Sequence, residues 1–196
     1  MTTILMARHG ETDWNRESRF QGHADTTLND AGREQARELA ERLADAEIVA
    51  IYASPLARAR ETAEIIGTRL DLGVETIEGL REVDVGSWSG LTRAEIEQRF
   101  PDGFRRWLEF DYGWEDGESY EELGMRVLEA LGELARRHPG ERILVVSHGG
   151  PMRAALATSA EVAYAEARRG ARPVGNCDVA VFRFEDKRLR ELDSQL

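Results

Sequence analysis

At 196 residues the chain is long enough for one sizeable core and is expected to form a single domain over residues 1–196. It carries 37 acidic against 26 basic residues, a formal net charge of -11, which argues against general affinity for nucleic acid or an anionic membrane. The single cysteine, Cys177, excludes an intrachain disulfide and reads as a buried thiol, and no stretch approaches the roughly 20 apolar residues of a membrane helix.

Thr3 to Ala7 reads as a strand, and Arg8-His9-Gly10-Glu11-Thr12 follows it directly. The spacing of Ala31, Ala36, Leu39, Ala40 and Leu43 predicts a helix over 31–43 with Asn29 as its cap. Ile48 to Ala53 is a second apolar strand. Ser54-Pro55 then reads as a cap followed by proline at the first helical position, with Arg58 in the first turn and Ala59, Ala63, Ile66 and Leu70 facing inward. Val83 to Gly86 reads as a strand end. Thr92 with Glu95, and Ser119 with Glu122, fit capping boxes.

The second box opens a long helix that turns Leu123, Val127, Leu128, Leu131 and Leu134 inward and ends at Pro139-Gly140. Between the boxes, Pro101 to Gly117 is the least regular stretch, holds Trp107 and Trp114, and is expected to be a lid or substrate-facing insertion. Ile143 to Val146 is a further buried strand, followed by Ser147-His148-Gly149-Gly150. Val179 to Phe184 is a late strand, with Leu189 to Leu192 as a hairpin partner. Arg168-Arg169-Gly170-Ala171-Arg172 reads as an exposed helix end.

This alternation predicts a three-layer α/β sandwich with a mainly parallel central sheet flanked by helices. Ligands of such sheets bind outside the carboxyl ends of the strands. Arg8-His9, Ser54 to Arg58 and Ser147-His148 all lie just past strand ends, so three segments converge on one edge. In an acidic chain a positive pocket must be assembled from particular residues, and Arg8 with Arg58 presents paired donors that suit a phosphate. The amides that open Arg58's helix are expected to face the same anion. Gly149 and Gly150 leave backbone open to a ligand. Glu82 is the first choice for a proton donor and Asp84 the second.

In order along the chain stand Arg8-His9-Gly10-Glu11-Thr12, Asn15, Gln21-Gly22, Leu28, Gly32, Ser54-Pro55-Leu56-Ala57-Arg58-Ala59 with Thr62-Ala63, Leu80-Arg81-Glu82 with Gly86 and Gly90, and Ser147-His148-Gly149-Gly150. Each motif alone is weak. The ordered series, over nearly the whole chain, resembles the histidine phosphatase superfamily, also called the phosphoglycerate mutase-like family.

The resemblance implies a phosphoglycerate mutase-like fold and phosphoryl transfer through His9 as a nucleophile that must be neutral to attack. It implies that Arg8, Arg58 and His148 hold the phosphoryl oxygens, with Asn15 and the Gly149 amide as added donors. Glu82 would protonate the leaving oxygen and then deprotonate water. No metal and no cofactor is expected; His9, His23, His138 and His148 lack close ligand spacing. Gln21, Gly22 and His23 are expected to line the substrate pocket, and Trp88, Trp107 and Trp114 to be core or cover.

Mutases of this kind carry Glu-Arg-His-Tyr at the acid and a later Arg-Arg before a proline-rich stretch. Here Val83-Asp84-Val85 follows Glu82, and no proline run follows Arg105-Arg106. Ser89 also stands where many relatives have glutamate. The expectation is a metal-independent phosphatase acting on a small phosphorylated metabolite as a cytoplasmic monomer or homodimer. The alternatives are a cofactor-dependent phosphoglycerate mutase and a non-catalytic phospho-ligand sensor, which would need the arginines but not His9 with Glu82.

Overall fold

A computed structural model describes residues 1–170, 174–186 and 188–192. In chain order these form β1 (Thr2–Arg8), α1 (Asp13–Arg16), α2 (Asp30–Arg42), β2 (Ile48–Ala53), α3 (Ala57–Leu70), β3 (Val74–Thr76), α4 (Arg93–Arg99), α5 (Pro101–Leu108), α6 (Tyr120–Arg137), β4 (Arg142–Ser147), α7 (Gly149–Ser159), α8 (Tyr164–Gly170), β5 (Val179–Glu185) and β6 (Arg188–Leu192). The six strands make one sheet in the order β3-β2-β4-β1-β5-β6. The first four are mutually parallel, whereas β5 and β6 run antiparallel.

The period-two geometry of β1 sorts the layers. Leu5 and Ala7 join Leu39 and Ala40 of α2, its C-cap Leu43, and Ala59, Ala63 and Ile66 of α3 on one face. Ile4 and Met6 join Leu123, Val127, Leu131 and Leu134 of α6 and Met152, Ala154 and Ala155 of α7 on the other. Both faces of the sheet are covered, which is why β1 and β4 read as unbroken apolar runs rather than alternating ones. The three-layer α/β sandwich expected from the sequence is the fold observed.

Local chemistry sets most boundaries. Asn29 caps α2, its side chain accepting from the Gly32 amide at 2.8 Å. Thr92 and Ser119 each form the reciprocal capping box predicted for them.

Three expectations need correction. α3 begins at Ala57 with Leu56 as an N-cap that lends no side chain: the Ser54 hydroxyl pairs with His148 Nε2 at 2.7 Å and accepts from the Leu56 amide at 3.3 Å, and the Ala57 amide donates to Asp25 at 2.7 Å. The Ala57 amide is therefore committed to Asp25 rather than to an anion in the site. Val83 to Gly86 is no strand end; Val83 to Val85 lie between 3-10 turns at Glu78–Leu80 and Gly86–Trp88, and the strand in this region is the short polar-edged β3. Finally, the irregular stretch from Pro101 contains a helix, α5, which Pro101 opens at a position where its missing N–H is harmless.

Candidate active site

Strand register builds the site. Arg8 and Ser147 are paired at the ends of β1 and β4, the His9 amide donates to the Ser147 carbonyl at 2.9 Å, and the Ser54 amide donates to the Val146 carbonyl at 2.9 Å. His9, Ser54 and His148 are thereby delivered side by side at the carboxyl edge of three adjacent strands, where such sheets bind ligands. The two imidazole rings meet edge to face with centroids 5.2 Å apart.

His9 is fully enclosed, and its Nδ1 donates to the Gly10 carbonyl at 2.7 Å. That bond assigns the proton to Nδ1 and leaves a lone pair on Nε2. Burial, then the positive charges of Arg58 and Arg8, push its pKa well below 6.5, so the ring is neutral. His148 is pushed well below 6.5 by the same causes, burial first and Arg58 next. Its Nε2 sits 2.7 Å from the Ser54 hydroxyl.

Arg58 is buried, with its terminal nitrogens donating to the carbonyls of Ala24 at 2.7 Å and Gly22 at 2.9 Å. Gly22 meets this demand with φ +49, a backbone conformation open to glycine. Desolvation lowers the Arg58 pKa to about 10, which still leaves it charged at neutral pH. Arg8 donates to the Val174 carbonyl at 2.6 Å. Arg8 Nε, Arg58 Nε and His148 Nδ1 are buried side-chain atoms without a hydrogen-bond partner among the described residues. Such atoms are costly to leave unpaired, and all three belong to the group around His9.

Glu82 is held by the start of α7: one carboxylate oxygen accepts from its neighbour Val83 at 2.9 Å and from the Gly150 amide at 3.0 Å. A Cβ on residue 150 would lie 2.2 Å from that oxygen. Gly150 thus permits close approach of the carboxylate, and it also borders the cavity. Asn15 accepts from the Thr12 amide at 3.1 Å and from the Asn176 side chain at 3.3 Å, so its own amide nitrogen is left to the cavity. Gly149 opens α7, and its N–H is free of the helix ladder.

These groups border a cavity of about 490 Å³, within the range of small-molecule sites. Arg8, His9, Asn15, Gln21, Gly22, Arg58, Glu82 and Gly149, each expected from the sequence, line it. His148 is not among the lining residues; its ring packs edge to face against His9, with centroids 5.2 Å apart. His23 and Asp84 are not among the lining residues. His23 Nε2 donates to the Glu82 carbonyl at 2.8 Å, and Asp84 accepts from the Gly86 amide at 3.0 Å. Ser89 is exposed and donates to the Gln21 carbonyl at 3.2 Å. Trp88 and Trp114 are buried, and Trp107, Phe110 and Trp114 border the cavity from the 101–117 stretch.

The sequence reading missed several contributors. Arg126 of α6 donates to the carbonyls of Gly79, Arg81 and Glu82 at 2.9, 2.7 and 2.8 Å and clamps the loop that carries the acid. Asn176 donates to the His9 carbonyl at 2.9 Å. Arg168 is not a simple exposed helix end: it stacks over Trp107 at 4.4 Å, donates to the Trp107 carbonyl at 3.0 Å and faces the cavity. Ala171 and Arg172 of the same run lie outside the described residues. Arg153 and Tyr164 also line the cavity, and the four-residue step from Tyr164 to Arg168 was a legible sign that both share a helix face. Among the described residues, no group of three or more His, Cys, Asp or Glu is arranged to hold a metal ion, and no helix is long and apolar enough to cross a membrane.

Comparison with known proteins matches residues 4–194 to the profile of the histidine phosphatase superfamily (branch 1). Phosphoglycerate mutase-like protein 4 of Arabidopsis thaliana is 40% identical over 194 residues, covering 93% of this chain and 80% of that protein. Phosphoserine phosphatase 1 of Hydrogenobacter thermophilus is 37% identical over 156 residues, covering 79% and 74%. Among solved structures, the mycobacterial glucosyl-3-phosphoglycerate phosphatase complexed with VO3 superposes with a TM-score of 0.87 at 31% identity, covering 97% of this chain and 96% of that one.

Proposed function

Because the chain belongs to the histidine phosphatase superfamily, we propose that it hydrolyses a small phosphomonoester through a phosphohistidine on His9. The observation that carries this reading is a neutral, buried His9 whose Nε2 is unprotonated, in a group with three buried side-chain nitrogens that lack a hydrogen-bond partner among the described residues: Arg8 Nε, Arg58 Nε and His148 Nδ1. A phosphoryl group seated on His9 supplies acceptors for all three. Relatives named as phosphoserine and glucosyl-3-phosphoglycerate phosphatases support the same class of reaction.

In the first step, Nε2 attacks phosphorus in line and the bond to the leaving oxygen breaks. Protonated Glu82 gives its proton to that oxygen, and the product alcohol departs. In the second step, the Glu82 carboxylate takes a proton from water as the water oxygen attacks phosphorus. The P–N bond breaks, phosphate leaves, and both side chains return to their starting states. Arg8 and Arg58 balance charge on the equatorial oxygens, with the Asn15 and Gly149 amides beside them. His148 contributes a neutral Nδ1–H when the Ser54 hydroxyl donates to its Nε2. Trp107, Phe110 and Trp114 line the cavity from the 101–117 stretch, and in this reading that stretch is the substrate-facing cover whose aromatic rings meet the leaving group. The lone buried Cys177 suits a reducing compartment, and the reading includes a cytoplasmic location.

The mutase alternative has less support. Arg105 and Arg106 are ion-paired with Asp102 and Glu115 on the exposed side of α5, away from the cavity. The test is phosphate release from an aryl phosphate. The unmodified chain turns over and forms an acid-labile phosphoenzyme, and His9→Ala loses both. Undiminished turnover by His9→Ala refutes the reading. Rapid conversion of 3-phosphoglycerate to 2-phosphoglycerate with a trace of bisphosphate would favour the mutase.

A further inference from the structure

The cavity holds more positive charge than a phosphoryl group requires. Beyond Arg8 and Arg58, the arginines Arg19, Arg93, Arg153 and Arg168 line it. Arg19 is ion-paired with Glu17 and Glu95. The other three have no carboxylate within ion-pair distance among the described residues, although the chain carries 37 acidic side chains. Arg93 lies 5.2 Å and Arg168 4.4 Å from the centre of the Trp107 ring, so both guanidiniums flank one indole. Among the described residues, Arg153 makes one side-chain hydrogen-bond contact, to the Tyr164 hydroxyl at 3.5 Å. Arg168 is held in place by the Trp107 carbonyl at 3.0 Å and the Tyr120 hydroxyl at 3.3 Å. Burial, and then repulsion from Arg153 and Arg93, lower its pKa, which marks the three as one like-charged group. The indole face attracts each guanidinium, but like charges gathered without carboxylate counter-ions repel one another, and an anionic ligand relieves that repulsion.

We infer that Arg93, Arg153 and Arg168 form a second anion site that binds a negatively charged group on the leaving-group side of the substrate. This rests on the phosphatase reading for the location of the phosphoryl end. The substrate is then a small metabolite with two anionic ends, a phosphomonoester and either a carboxylate or a second phosphate. A guanidinium suits either oxyanion, since both accept paired N–H donors.

Two matched pairs test this. 3-Phosphoglycerate and glycerol 3-phosphate differ by the carboxylate; fructose 1,6-bisphosphate and fructose 6-phosphate differ by the second phosphate. Binding to His9→Ala is measured by calorimetry, and kcat/KM on the unmodified enzyme. In at least one pair the doubly anionic member should be favoured by roughly tenfold or more in both measurements, a modest yield for charge-assisted hydrogen bonds. The double variant Arg153→Gln, Arg168→Gln should bring the ratio close to one. Arg153→Gln alone should lower it and gives up only the long Tyr164 contact, so folding is not at risk. Ratios near one in both pairs for the unmodified chain, or a ratio unchanged in Arg153→Gln and in the folded double variant, overturn the second anion site. A binding preference without any turnover of aryl phosphate or of either pair refutes the phosphatase reading and leaves this site standing.

Discussion

His9 and His148 are chemically alike in the sequence and unlike in the structure, because each ring has a different hydrogen-bond partner. The Gly10 carbonyl at 2.7 Å fixes the His9 tautomer, whereas His148 depends on a hydroxyl, Ser54, that can either donate or accept. Removing that hydroxyl leaves a buried ring nitrogen unsatisfied, at about 1–3 kcal/mol. If the whole effect falls on the transition state, Ser54→Ala lowers kcat roughly 5- to 150-fold with KM nearly constant. Steady-state kinetics on an aryl phosphate decide this, and a pure KM effect would count against the positioning role. The depressed His9 pKa gives a second expectation. A lowered pKa keeps the ring neutral below pH 6.5, so kcat/KM should have no acid limb from His9 in the ordinary histidine range. The substrate's own second ionisation, near 6 for a phosphomonoester, is subtracted first. A remaining limb centred near 6.5 would contradict a buried neutral nucleophile. At this scale the sequence was most informative: Arg8, His9, Asn15, Gln21, Gly22, Arg58, Glu82 and Gly149 line the cavity as expected, His148 packs against His9, and His23 is the expected pocket residue that does not line it. Asn176 and Arg126 escaped notice because their roles run through backbone carbonyls, to which any donor at the right place in the fold can bond.

Elements were legible where a local signal sets them. Asn29, Thr92 and Ser119 cap the helices they were expected to cap. Where tertiary contacts decide, the reading failed. Ser54-Pro55 has the local form of a helix start, but His148 takes the serine and Asp25 takes the first amide, so α3 begins at Ala57. β3 is three residues long and too polar to show a period. α7 was hidden by Gly149-Gly150-Pro151, which reads as a turn, although all three residues are tolerable in a first helical turn. The start of α7 also couples stability to function. Alanine in place of a helical glycine is favoured by roughly 0.5–1 kcal/mol, yet at Gly150 its Cβ falls 2.2 Å from the Glu82 carboxylate. Glu82 is the flexible partner and must move. Gly150→Ala should therefore keep or raise thermal stability while lowering kcat at least roughly tenfold, as loss of a positioned acid does. Unfolding curves and kinetics on the same preparation check it, and full activity with a raised melting temperature would show that Glu82 tolerates displacement.

For the whole molecule, the site is a stability liability that shows itself through pH. His9 and His148 are both neutral and enclosed in the native state, each with a pKa well below the 6.5 of an exposed histidine. The unfolded chain binds protons at these positions before the folded one does. Between 6.5 and the depressed native values the unfolded state holds more protons, so folding stability falls as pH falls. Each group contributes a slope of up to about 1.4 kcal/mol per pH unit in that window, and nothing above it. Acidification from pH 7 to 5 should thus cost stability in urea denaturation at constant ionic strength. A phosphate-like anion such as vanadate or inorganic phosphate adds stability by binding only the folded site. His148→Gln removes one of the two proton sites and should reduce the slope by up to about 1.4 kcal/mol per unit. It leaves Arg8 and Arg58 in place, so its anion-induced stabilisation should persist in weakened form. A slope identical to that of the unmodified chain would mean that His148 is not a buried neutral ring, and the argument that Ser54 sets its tautomer would fall with it.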